Sequence, residues 1–248
     1  MTLAGRVAIV SGAGAPVGRG ISLALARAGA AVGLVGPDAR LGPADHLAHA
    51  GSACTAVATD LESAEEAQAA FARVVAALGP LHLAVHSWVP AIALERCPVA
   101  EFGDERWEAV WEGTMKATIV FLRAAFATFG GGGGRIVVVT PTAWATGVPG
   151  LAAYAAAVEG QRLLAKSAAR QWGKDGITVN CVAPAWEAVA GAGPDGGPGG
   201  SMSLAPTPLG PADFEADVGA AVVTLAGEGM HALTGATLGL DGGAAMAP

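Results

Sequence analysis

The chain is poor in charge. Only 14% of its 248 residues are Asp, Glu, Lys or Arg, and 14 basic residues stand against 21 acidic ones, a formal net charge of -7. Lys and Arg form no cluster, which argues against nucleic acid or an anionic membrane surface as a partner. Cysteine is scarce and odd in number. Cys54, Cys97 and Cys181 lie far apart with neither disulfide-framework nor metal-ligand spacing, so buried free thiols in a reducing cytosol are expected, and no metal site. The opening "MTLAGRVAIVSG" lacks a signal-peptide layout, and no apolar run approaches membrane-spanning length. A cytoplasmic protein is the expectation. No internal repeat of about 20–50 residues is present, and the chain has a single tyrosine, Tyr154.

What the chain does have is apolar bulk: 52% of residues are hydrophobic, enough for one domain with a full core. Seven short apolar runs recur along it: 6–10, 31–35, 54–58, 81–85, 135–139, 177–183 and 236–240. None alternates strictly with polar residues, as befits strands covered on both faces. Helical patterns lie between them, at 17–28, 63–78, 102–128, 151–172 and 212–227. Strand and helix in alternation imply a parallel sheet with right-handed crossovers. Two stretches break the pattern. "GGGGG" (130–134) reads as a flexible connection, and the Gly/Pro-rich 190–210 as a flexible lid.

The first strand runs into "VSGAGAPVGRG" (10–20). Glycines there allow a tight turn and bring backbone N–H groups and a helix N-terminus up to a pyrophosphate. With "ATDL" after the third run, "VNCVAPA" (179–185) and "TGATLGLDGG" (234–243), the chain resembles the short-chain dehydrogenase/reductase (SDR) family over essentially its full length. The resemblance implies an α/β fold: a single domain, residues 1–248, with a Rossmann-type, doubly wound, seven-stranded parallel sheet and helices on both faces. It assigns Gly12, Gly14 and Gly18 to the cofactor loop and Asp60 to the adenine side. The loop's middle glycine is here Pro16, which lacks an N–H and has a fixed φ. Where the second strand ends, Gly36 replaces the acidic residue of NAD-preferring members, with Asp38 two residues on. The choice between NAD and NADP is therefore open. NAD(P)(H) is implied only so far as the altered loop still holds it.

The family's chemistry uses a tyrosine as general acid/base, and a lysine one turn later to lower its pKa and hold the nicotinamide ribose. A serine holds the substrate oxygen, and an asparagine holds a relay water. Those positions read Tyr154, Val158, Pro141 and Thr114. Without the lysine, a tyrosine with an ordinary pKa of about 10 is a poor base at neutral pH. Thr142, beside Pro141, reaches the serine's place only through a kink, because neighbours in an extended chain point to opposite faces. The family's N-N-A-G reads His86, Ser87, Trp88, Val89, and the threonine that clamps the nicotinamide becomes Val189. His86 is the candidate replacement acid/base. Trp88, Trp144 and Trp186 follow the fourth, fifth and sixth strands, where they either line an apolar pocket or plug the nicotinamide space.

Three functions follow. The first is a pseudoenzyme subunit, in a homo- or hetero-oligomer with an SDR paralogue, since the helices through which the family assembles look intact. The second is a non-redox proton-transfer catalyst on an apolar or aromatic substrate, using Tyr154, Thr142 and His86. The third is an atypical NAD(P)-dependent carbonyl reductase.

Overall fold

The computed structural model describes residues 2–41, 43–49, 51–186, 208–210 and 213–245. Residues 190–207 of the expected lid lie outside these, as do Glu187 and Val189.

The seven apolar runs form seven strands: β1 (Val7–Ser11), β2 (Ala31–Val35), β3 (Cys54–Val57), β4 (Leu81–His86), β5 (Gly134–Val139), β6 (Ile177–Pro184) and β7 (Thr237–Leu240). They pair in parallel in the order β3-β2-β1-β4-β5-β6-β7. The order reverses direction between β1 and β4. In this kind of sheet, ligands bind outside the carboxyl ends of the strands at that reversal.

Helices cover both faces, which is why β1 and β6 are buried at every position. One face carries α1 (Pro16–Arg27), α2 (Ala44–His49) and α8 (Ala220–Leu225), packed through Ile21, Leu25, Leu47, Val222 and Leu225. The other carries α3 (Ala64–Leu78), α5 (Ala117–Phe129) and α7 (Ala152–Trp172), where Phe71 and Phe121 meet edge to face at 5.2 Å. Such a pair adds about 0.5–1.5 kcal/mol beyond its burial. Gly33, in the middle of β2, lets α3 come close: a Cβ there would overlap Val74. Asn180 fastens β7, donating to the Leu233 carbonyl (2.8 Å) and accepting from the Ala236 N–H (3.1 Å).

Two sequence expectations change. The expected helix 102–128 is α4 (Asp104–Trp111), a π-helical turn (Glu112–Lys116) and then α5. Gly113 sits in that turn against Pro90, where a side chain would not fit. The five-glycine run is a built turn rather than a bare connection. Gly130, Gly131 and Gly133 have positive φ, and Gly134 opens β5 so close to the Phe129 ring that a Cβ would overlap it.

Candidate functional site

β1 ends at Ser11, and the next residue, Gly12, has φ +73° and lies against the end of β4, where a Cβ would run into the Ser87 carbonyl. Gly18, inside α1, lies against Gly12 in the same way. Packing by itself already requires glycine at both positions. Pro16 is the first residue of α1, a position where a missing N–H costs nothing and a fixed φ suits the helix. Pro16 is thus accommodated in the helix start without strain.

Gly14 contacts something the sequence reading did not assign. Its N–H donates to Asp38 Oδ2 at 2.8 Å, and a Cβ on Gly14 would meet that carboxylate. Gly36 (φ +122°) turns the chain so that Asp38 folds back over the loop. The other carboxylate oxygen, Oδ1, is buried without a hydrogen-bond partner, and burial raises the Asp38 pKa against the opposing effect of the Gly14 hydrogen bond. The usable signal was its position twenty residues past Gly18, the spacing expected of a ribose-holding acid. Asp60, expected on the adenine side, is exposed and occupied with the turn before α3. Its Oδ1 accepts from the Glu62 N–H (2.8 Å), and its own N–H donates to Glu66 (3.1 Å).

His86 ends β4, fully buried, in a chain of polar groups. The Ser87 N–H donates to Ser11 Oγ (3.3 Å), leaving the Ser11 hydroxyl to donate to His86 Nδ1 (2.9 Å). Thr118 donates to the Thr114 carbonyl (2.7 Å). Its oxygen accepts from Gln161 Nε2 (2.7 Å) and from His86 Nε2 (3.1 Å). The donors and acceptors balance only for a neutral imidazole with its proton on Nε2. Burial lowers the His86 pKa to about 3, and its ring packs on Phe121 at 4.8 Å. With both nitrogens engaged and no charge accessible near neutrality, His86 cannot exchange a proton with a ligand in this arrangement. Gln161 lies about two turns along α7 from Tyr154, and its bond across to α5 was not foreseeable from the sequence. Thr114, at the asparagine position, sits in the π-helical turn with its Oγ1 buried and unpartnered.

Tyr154, early in α7, is 3% exposed and its hydroxyl has no hydrogen-bond partner among the described residues. Burial alone raises its pKa above the ordinary phenol value, which favours the protonated hydroxyl. It packs in an apolar cluster at the carboxyl ends of the strands with Val158, Ala143, Leu151 and Trp186. Val158 is wholly buried there, and Trp186 is 5% exposed. The nearest cation along the helix, Arg162, is directed elsewhere. It lies over the Trp144 ring at 3.6 Å and bonds to Glu159 (2.5 Å) and Thr237 (3.2 Å).

Thr142 is buried just before α6 (Ala143–Thr146), its N–H donating to the Pro184 carbonyl at 2.9 Å. The three crevice tryptophans do not form one wall. Trp88 packs against the α3–α5 face, whereas Trp144 and Trp186 belong to the Tyr154 cluster.

A nicotinamide dinucleotide therefore fits in part. The adenosine end meets an oriented carboxylate with one orphaned oxygen. The nicotinamide end meets Val158 and Trp186, and among the described residues no cation shifts the Tyr154 hydroxyl. No hydride-transfer step can be derived through such a site. Among the described residues no group of three or more His, Cys, Asp or Glu is placed to hold a metal ion, and no helix is long and apolar enough to cross a membrane.

Residues 12–245 match the family model described as enoyl-(acyl carrier protein) reductase. The chain is 30% identical to the hydroxynaphthalene reductase-like protein Arp2 of Metarhizium anisopliae, over 98% of this chain and 96% of that protein. It is 29% identical to the D-threitol dehydrogenase of Mycolicibacterium smegmatis, over 97% and 93% of the respective chains. A crystal structure of a dehydrogenase/reductase from Sinorhizobium meliloti superposes with a TM-score of 0.86 at 29% identity, covering 98% of this chain and 96% of that one. Glycine loop, strand order and relatives agree: the chain belongs to the short-chain dehydrogenase/reductase family.

Proposed function

We propose that this chain is a non-catalytic SDR-fold subunit that supports a catalytically complete SDR oxidoreductase in the cytoplasm. The state of Tyr154 carries this reading. The one residue retained from the family's catalytic set is buried, without a hydrogen-bond partner among the described residues, and packed on Val158 where a lysine would stand. Desolvation raises its pKa, and no cation lowers it. Proton transfer at neutral pH needs a group whose pKa lies near that pH, and neither Tyr154 nor His86 is such a group. The scaffold, by contrast, keeps its seven strands and both helical layers. A helix stripe with exposed Trp107, Trp111, Ile119 and Phe126 is available to a second SDR-fold chain.

An NAD(P)-dependent carbonyl reductase is the competing reading, favoured by relatives named as a reductase-like protein and a dehydrogenase. Stopped-flow absorbance of the purified chain with NADH or NADPH and a panel of ketones and quinones separates the two. The subunit reading expects no cofactor oxidation above a Tyr154→Phe variant. Turnover that disappears in that variant would overturn it.

A further inference from the structure

The sheet has a second opening, at the amino ends of β1, β4 and β5, opposite the dinucleotide crevice. A cavity of about 500 Å³ lies there, within the size range of small-molecule sites. Leu3, Val7, Leu81 and Phe129 give it apolar walls, and three basic side chains line it: Arg6, His82 and Arg135. The chain has a net charge of -7 and no cluster of Lys and Arg along its sequence, so the fold alone brings these groups together.

His82 enters through an irregularity in the sheet. The pairing of β1 with β4 steps from Val7 and Leu81 to Ala8 and Leu83, skipping His82, whose Nδ1 accepts the Val7 N–H at 3.1 Å. Such a bulge re-aims a side chain. Burial and the Arg6 charge lower the His82 pKa, against the opposing Pro80 carbonyl, so the ring is neutral near pH 7. Arg6 meets Glu228 at 3.0 Å, but the two side chains are 45% and 90% exposed, and a pair so well solvated is weak. Arg135 is half-buried and has no carboxylate partner among the described residues. It donates from Nη1 to the Gly134 carbonyl at 3.2 Å. Its Nε is enclosed, so the Nη end is the part that can meet a ligand. Two guanidinium groups and one carboxylate leave the cavity with one net positive charge.

We propose that this cavity binds a small organic acid with an apolar body, its carboxylate held by Arg135 and Arg6. A carboxylate supplies the single negative charge that the cavity lacks, and guanidinium groups bind it through paired, charge-assisted hydrogen bonds. A phosphate monoester carries closer to two charges at neutral pH and leaves an excess of negative charge beside Glu228. The apolar walls take the rest of the molecule. Such a site lies apart from the dinucleotide crevice and does not depend on whether the chain is catalytic.

Backbone-amide NMR titration of the full chain with phenylacetate, phenethyl alcohol and phenyl phosphate tests this. Phenylacetate is expected to shift the amide signals of Val7, His82 and Gly134. It should bind at least about tenfold more tightly than phenethyl alcohol, which has the same ring and no charge. Arg135→Gln should weaken phenylacetate by about tenfold, and Arg6→Gln by less, because Arg6 is shared with Glu228. Glu228→Gln removes the competing carboxylate and should tighten binding by about threefold, a gain that a damaged fold cannot imitate. Equal affinity for the alcohol and the acid would overturn the proposal, as would tighter binding of phenyl phosphate. Unchanged binding by Arg135→Gln with unchanged thermal unfolding, or weaker binding by Glu228→Gln, would do the same. So would shifts at Gly12 and Tyr154 in place of Val7 and Gly134, or none at millimolar phenylacetate. The non-catalytic reading is untouched by all of these outcomes and falls only to cofactor oxidation in the stopped-flow measurement.

Discussion

His86 illustrates how far a residue's type can mislead about its role. A histidine at a strand end beside a ligand crevice reads as an acid/base, and in the folded chain its two nitrogens are taken by Ser11 and Thr118. Its consequence is for stability. The unfolded imidazole takes up a proton near pH 6.5, while the folded one resists until about pH 3. The unfolded state thus binds more protons between those values. The contribution of His86 is complete above pH 6.5 and is lost as pH falls toward 3, by on the order of 5 kcal/mol across the window. His82, also pulled down by burial and by Arg6, acts in the same direction. Urea unfolding at stepped pH should show this loss. In His86→Gln the slope should be shallower, although the variant is less stable at pH 7 because it breaks a fully satisfied chain of hydrogen bonds. An identical slope would mean that other groups set it.

At the scale of elements, glycines that look alike in the sequence do different things. Gly12 combines a positive φ of +73° with the Ser87 carbonyl against its α-carbon. Gly131 has φ +81° and open space around it. Gly131→Ala should therefore cost only the left-handed strain, roughly 1–2 kcal/mol. Gly12→Ala must also push β4 away from the loop and should cost more than about 3 kcal/mol. Thermal unfolding of the two variants tests the ranking, and equal losses would contradict the close approach of loop and strand. The π-helical turn between α4 and α5 belongs to the same scale. The sequence shows one long helical pattern through it, and the contact of Gly113 with Pro90 became visible only in three dimensions.

Across the whole molecule, the exposed stripe of α4 and α5 has polarity. Asp104, Trp107, Glu108, Trp111 and Glu112 form its acidic, aromatic half, with the two indoles stacked at 6.1 Å. Lys116, Ile119, Arg123 and Phe126 form its basic, apolar half. A second SDR-fold chain with the same polarity, laid antiparallel, brings acid against base and apolar against aromatic. Association through this stripe should weaken as salt rises, because the charges are exposed. Sedimentation velocity should show Trp107→Ala with Trp111→Ala shifted to the monomer. Oligomers that survive both substitutions would place the interface elsewhere.

The sequence by itself determined the fold. Seven apolar runs without alternation, a glycine loop after the first and helical patterns between them leave little but a covered parallel sheet, because local periodicity and the need to bury both faces act along the chain. It also determined which family positions had changed, Val158 and Pro141 among them. What those changes mean was decided by the tertiary structure, since it depends on contacts between distant segments. Asp38 reaches Gly14 only because Gly36 turns the chain, Trp186, two residues past the end of β6, joins the cluster of Tyr154 on α7, and Gln161 bonds across to Thr118. Burial and hydrogen-bond satisfaction are properties of neighbours in space, which no local pattern along the chain encodes.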